Sequence, residues 1–184
     1  MNKTTIQFTP YGPIVIIWRI SERGAKIVRV LLSNPAASAT NRVSSLYPEA
    51  HESSCDEIDS VSSAICRFLE GAPIGFGLDF ADLIECGVFQ QRVLVAEYAI
   101  PRGRVSTYKL IAAHLGVPGG ARAVGNALAN NPFPLIIPCH RAIRSDCSLG
   151  GFQGGLDMKR SLLSKEGIAF DHIGRVRCSQ FYYE

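Results

Sequence analysis

The chain has 184 residues, of which 47% are hydrophobic and 19% charged, and a formal net charge of +3. That length can bury one medium core or two small ones, and the composition excludes a disordered chain. It also excludes an apolar span of about 20 residues that could cross a bilayer, and the mild positive charge permits a nucleic-acid partner without arguing for one.

The run Ile14–Trp18, a turn at Ser21–Gly24 and the run Ile27–Leu32 predict a β-hairpin. Residues 34–54, rich in Ser, Ala, Pro and Asn, predict a long surface loop. Ser54 to Glu57 has the spacing of a capping box, and Ile58, Val61, Ile65, Phe68 and Leu69 recur at helical spacing until Gly71 stops the helix. Phe76, Leu78 and Phe80 alternate as in a strand. Gly87 marks a change from sheet to helices, so the expected fold is α/β (α+β). It has a small N-terminal antiparallel-sheet domain with a helix, residues 1–86, and a mostly helical C-terminal domain, residues 87–184.

In the second part Gln90–Tyr98 reads as a helix, broken at Pro101–Gly103. Thr107 is placed to cap another helix bearing Leu110, Ile111 and Leu115, which ends at Gly116. A third begins at Ala121, and the pair has the outline of a helix-turn-helix, a shape that packing alone also produces. In the third helix nearly every side chain is small. Gly125 costs about 1 kcal/mol relative to Ala in a helix interior, so a neighbouring helix or a nucleic-acid groove should approach it closely.

Six cysteines with no CxxC pair read as free thiols, and no HxxxH or HExxH spacing marks a metal site, so neither metal nor cofactor is expected. One thiol stands out. Leu135–Ile137 reads as a buried strand, Pro138 interrupts it, and Cys139 is followed at once by His140 and Arg141. A buried cysteine is commonly inert packing; beside imidazole and guanidinium it is a candidate nucleophile. A thiol of pKa about 8.5 is about 3% thiolate at pH 7, and lowering it to about 6 gives about 90%. His140 can act directly or through water, and Glu166, near the end of a helix, is a candidate to orient the imidazole.

These residues resemble the O6-alkylguanine-DNA alkyltransferase family. The resemblance runs through Phe89-Gln90-Gln91, Ser106-Thr107-Tyr108, Ala121 to Gly125, Asn130-Asn131-Pro132, Ile137 to Arg141, Gly154-Gly155-Leu156 and Lys159 to Gly167. It covers residues 87–168 firmly and the N-terminal part only in style. It implies that Cys139 accepts an alkyl group, with His140, a water and Glu166 as the activating relay and Asn131 as the hinge brace. Tyr108 would donate to the departing guanine, and Arg122 would fill the gap left by the flipped nucleotide. Ala121, Ala123 and Gly125 would lie in the minor groove. Leu128, Pro134, Ala142, Phe152 and Gln153 would line the base pocket, with Lys159 at its mouth.

The implied reaction is stoichiometric, irreversible repair of O6-alkylguanine, and by extension O4-alkylthymine, in double-stranded DNA. The implied protein is monomeric and cytoplasmic, nucleoid-associated or nuclear according to organism, with no membrane partner. Two positions depart from the family: Ala142 replaces a larger aliphatic residue and Phe152 a tyrosine, which together bear on how the pocket holds the base, and Ala142 points to tolerance of groups larger than methyl. The competing readings are an alkyltransferase-like protein that binds the lesion without transfer, a helix-turn-helix regulator, and a thiol hydrolase. Cys139 argues against the first, the absence of a regulatory domain against the second, and the lack of an evident oxyanion loop against the third.

Overall fold

A computed structural model describes residues 1–184. Two compact units divide it: residues 1–85 with 132–136, and residues 86–131 with 137–184. A single cut at 86/87 does not produce this division, because the short segment 132–136 belongs with the first unit.

The first unit carries a four-stranded sheet in the order β3-β2-β1-β4, built from β1 (Lys3–Thr9), β2 (Gly12–Ser21), β3 (Gly24–Leu32) and β4 (His51–Glu52). β1, β2 and β3 are antiparallel, and β4 adds parallel to β1. Helix α1 (Ala39–Leu46) packs with Val15, Ile17, Leu31 and Ile6. Helix α2 (Asp56–Glu70) reaches β1 from the other side, where Ser62 hydrogen-bonds Gln7, the residue that alternates with Ile6. Covering both faces explains why Ile14 to Trp18 is a continuous apolar run in which every residue is buried.

Four expectations fail here. Residues 34–54 are not one loop: Ser38 caps α1, and His51–Glu52 pairs with β1. The capping box at Ser54 does not form. Cys55 is the cap residue of α2 and makes no side-chain cap bond, while Glu57 accepts from the Ala25 amide. Phe76–Phe80 forms no strand; Leu78–Phe80 is a 3-10 turn. The Leu135 segment is no strand either, because Leu135 sits at φ 75°, a left-handed conformation that breaks an extended run. The helix stop at Gly71 holds, with φ 108°.

The second unit holds α3 (Val88–Tyr98), α4 (Tyr108–His114), α5 (Ala121–Ala129) and α6 (Leu156–Lys165). A short parallel ladder joins β5 (Ser106–Thr107) to β6 (Ala142–Ile143). α4 and α5 pack against each other and both touch α3, giving a helix-turn-helix on a supporting helix. Thr107 caps α4 as expected, its hydroxyl accepting from the Leu110 amide at 3.1 Å. Val105, Ile143, Leu149, Leu163 and Val176 form a core that joins β5, β6 and α6. No helix is long and apolar enough to cross a membrane.

Candidate active site and nucleic-acid interface

Past Ile137 the chain closes into a 3-10 turn over Cys139–Arg141, with Cys139 N–H donating to Ile137 O and Arg141 N–H to Pro138 O, both at 2.8 Å. Asn131, just beyond α5, donates through Nδ2 to Ile137 O at 3.1 Å, and its side chain also hydrogen-bonds the Cys139 thiol. One amide thus ties the end of the helix to the turn that carries the sulfur.

Cys139 is 7% exposed. Burial, reinforced by Glu97, pushes its thiol up to about 11, against smaller opposing effects of Asn131 and Lys159. The expectation that adjacent His140 and Arg141 depress it is overturned for the resting protein. At pH 7 about one thiol in ten thousand is ionised. The two cationic candidates are turned elsewhere. His140 Nε2 meets Glu166 Oε1 at 2.9 Å, and Arg141 donates through Nε to Oε2 at 2.9 Å and through Nη2 to Oε1 at 2.7 Å. A further Arg141 bond, Nη1 to Ile100 O at 2.7 Å, anchors the turn to the end of α3.

The Glu166 carboxylate is almost wholly buried. Burial works to raise it, but hydrogen bonds from His140 and Arg141 together outweigh burial and hold it at about 2. It is a buried anion rather than a solvated helix end. Burial lowers His140 more than Glu166 raises it, so the imidazole is neutral near pH 7. With its proton on Nε2 toward Glu166, Nδ1 keeps the lone pair of a base.

Cys139 lies at the edge of a cavity of about 550 Å³, within the range of small-molecule sites. Tyr108, Leu128, Phe152 and Gln153 line it together with Ala121, Arg122 and Gly125 of α5. Burial, with Glu97 and Cys139 adding to it, pushes the Tyr108 hydroxyl up to about 12, so it stays a proton donor. A Cβ on Gly150 would sit 2.6 Å from that hydroxyl, so only glycine lets the loop close over Tyr108. Phe152 meets the His140 ring edge-on at 6.2 Å.

Three expected pocket residues are not among those that line the cavity. Pro134 belongs to the first unit. Ala142 is fully buried on β6, paired with Ser106, so its size cannot act by simply widening the cavity. Lys159 is not at the mouth but fully buried, where Nζ donates to Ala142 O at 2.7 Å and Gly151 O at 3.2 Å. Backbone carbonyls satisfy the ammonium, and it braces the loop rather than facing solvent.

On α5, Arg122 and Ala123 are exposed, and a Cβ placed on Gly125 meets nothing within 4 Å. No neighbouring helix explains that glycine, which lies on the wall of the cavity.

Residues 88–168 match a protein family described as the DNA-binding domain of 6-O-methylguanine DNA methyltransferase. This segment of the chain is similar to that family. It is 44% identical over 114 residues to a methylated-DNA--protein-cysteine methyltransferase of Methanothermobacter thermautotrophicus, covering 62% of this chain and 64% of that protein. Over 89 residues it is 47% identical to a protein of the same name from Pyrobaculum aerophilum, covering 48% and 58%. The chain therefore spans less than two thirds of either curated relative. Among solved structures, the O6-methylguanine methyltransferase of Mycobacterium tuberculosis superposes with TM-score 0.73 at 29% identity, covering 90% of this chain and 93% of that one. That organism's OGT in complex with DNA gives 0.70 at the same identity.

The segment matched to the methyltransferase family contains Tyr108, Arg122, Asn131, Cys139, His140 and Glu166. Sequence reasoning missed Arg141 as a partner of Glu166, and it missed Lys109 and Arg144, which add exposed cations to the cavity beside Arg122. It also missed Glu97. The signal for that residue was legible, because a lone acid sits at helical spacing from buried Val93 and Leu94.

Proposed function

We propose that the protein repairs O6-alkylguanine in duplex DNA, and by the same chemistry O4-alkylthymine, by transferring the alkyl group to Cys139 once and irreversibly. The observation that carries this reading is Cys139 at the edge of a cavity large enough for a flipped base and walled by the small-residue helix. In stacked duplex the O6 substituent is out of reach, so the nucleotide must rotate out, at a cost of a few kcal/mol. Arg122 on α5 fills the vacated stack, and Ala121, Ala123 and Gly125 let the helix enter the minor groove. Lys109 and Arg144 strengthen phosphate contact beyond what α5 alone offers.

In the reaction Cys139 gives its proton toward His140, through a bound water. The thiolate sulfur bonds to the alkyl carbon, the carbon–O6 bond breaks, and its electron pair goes to guanine. Tyr108 donates a hydrogen bond to the departing ring, and the net proton moves from thiol to guanine. The ionised Glu166 stabilises the imidazolium that forms, and Asn131 holds the turn. Leu128, Phe152 and Gln153 contact the base, whereas Lys159 supports the loop from behind. A thioether offers no facile leaving group, so each monomer acts once.

The deciding experiment follows lesion loss at limiting protein. One O6-methylguanine lost per protein molecule, without turnover, supports the reading. Continued turnover identifies a hydrolase, and tight binding without loss identifies a lesion-binding protein.

A further inference from the structure

Glu97 is the one acid on the buried stripe of α3, fully enclosed, and neither carboxyl oxygen has a hydrogen-bond partner. α3 packs against the Cys139–Arg141 turn, and Arg141 ties that turn to Ile100 at the end of the same helix. The ionisable groups whose charge Glu97 feels or perturbs are Lys159 from α6, Arg141 and Cys139 from the turn, Tyr108 from α4 and Tyr183 from the C-terminal segment. The Ala142 amide weighs weakly on the charged form without completing a hydrogen bond. A buried carboxyl with no donor costs several kcal/mol, and packing alone would be served by leucine.

We propose that Glu97 is a positioning residue for the nucleophile: its proton permits Cys139 to ionise, and losing that proton holds the thiol neutral. The inference rests on the transfer reading for its purpose, and on the thiol alone for its test. Lys159 donates to two carbonyls, a setting that suits an ammonium, so with Glu97 protonated the thiolate forms beside one positive charge. With Glu97 ionised, the same step places a second anion in a buried site. Burial raises Glu97 to about 8 and lowers Lys159 to about 8, so both groups change state just above neutral pH. Alkalinity, which ordinarily awakens a thiol, here ionises Glu97 first and so delays the rise in thiolate.

The test is the pH profile of Cys139 alkylation by iodoacetamide without DNA, read by mass spectrometry of the Cys139 peptide in the intact protein and in Glu97→Gln. The substituted amide is neutral at every pH, so its profile should rise at least one pH unit earlier, about tenfold faster at pH 9. Coincident profiles in folded proteins overturn the proposal. Should Glu97→Gln fail to fold, carboxyl carbon NMR of the unsubstituted protein reads Glu97 directly. A midpoint near 8 is expected, and one below about 5 overturns it. Methyl transfer from O6-methylguanine duplex, measured alongside, should rise less steeply above pH 8 in the unsubstituted protein than in Glu97→Gln. Separated thiol profiles with no transfer by either protein would leave Glu97's role standing and remove the transfer reading. Transfer with coincident profiles would do the reverse.

Discussion

Replacing Glu166 by Gln removes the anion that His140 and Arg141 share, and its effect can be worked from the site. The distance from an ordinary carboxyl value of 4.5 down to about 2 is worth about 3 kcal/mol of folding stability. Because the folded value is depressed, the unfolded chain binds the proton first, so this stability is complete above about pH 5. It is lost as pH falls through the folded value, with about 2 kcal/mol gone by pH 3. At pH 7 the substitution also leaves the Arg141 guanidinium, 9% exposed, without its counter-charge, so the total cost should be about 3 to 5 kcal/mol. Urea unfolding of both proteins at pH 7 and pH 3 measures this. The gap between them should narrow by about 2 kcal/mol at the lower pH. A gap that is small at pH 7, or equal at both, would refute the buried triad of His140, Arg141 and Glu166.

Gly125→Ala should separate stability from binding: the added methyl meets nothing in the protein, so the helix gains up to about 1 kcal/mol in thermal unfolding, while affinity for lesion duplex falls. A gain in both would remove α5 from the interface. Arg122→Ala should weaken duplex binding and reduce the slope of log affinity against log salt by about 1, with unfolding unchanged. An unaltered slope would place that guanidinium away from DNA. Tyr108→Phe deletes the donor held near 12 and should slow single-turnover transfer by a hundredfold or more at constant lesion affinity. An undiminished rate would assign the proton to another group.

Local chemistry made much of this legible. Thr107 signals a helix start through its own hydroxyl, Gly71 a stop through its backbone, and the alternation of sheet and helix periods separates the two halves. The association of Cys139, His140 and Glu166 was legible through the order of motifs, and the structure closes it within hydrogen-bond distance between His140 and Glu166. What escaped depended on distant partners. α1 has too weak an apolar pattern to show itself before the sheet gives Ala39 a place to pack. Leu135 adopts a conformation that no local residue requires. Lys159 reads as a surface residue until two carbonyls, at Ala142 and Gly151, surround it. The direction of the Cys139 shift was missed for the same reason. Adjacency in sequence placed an imidazole and a guanidinium beside the thiol, whereas the fold turns both toward Glu166 and leaves burial to decide.

Intact mass followed by peptide mapping, after incubation with duplex containing O6-methylguanine, shows whether the alkyl group ends on one named sulfur. A single gain of about 14 Da per chain is expected, located on Cys139 and absent in Cys139→Ser. An unmodified mass after complete lesion loss, or a methyl group on any of the other five cysteines, would contradict it.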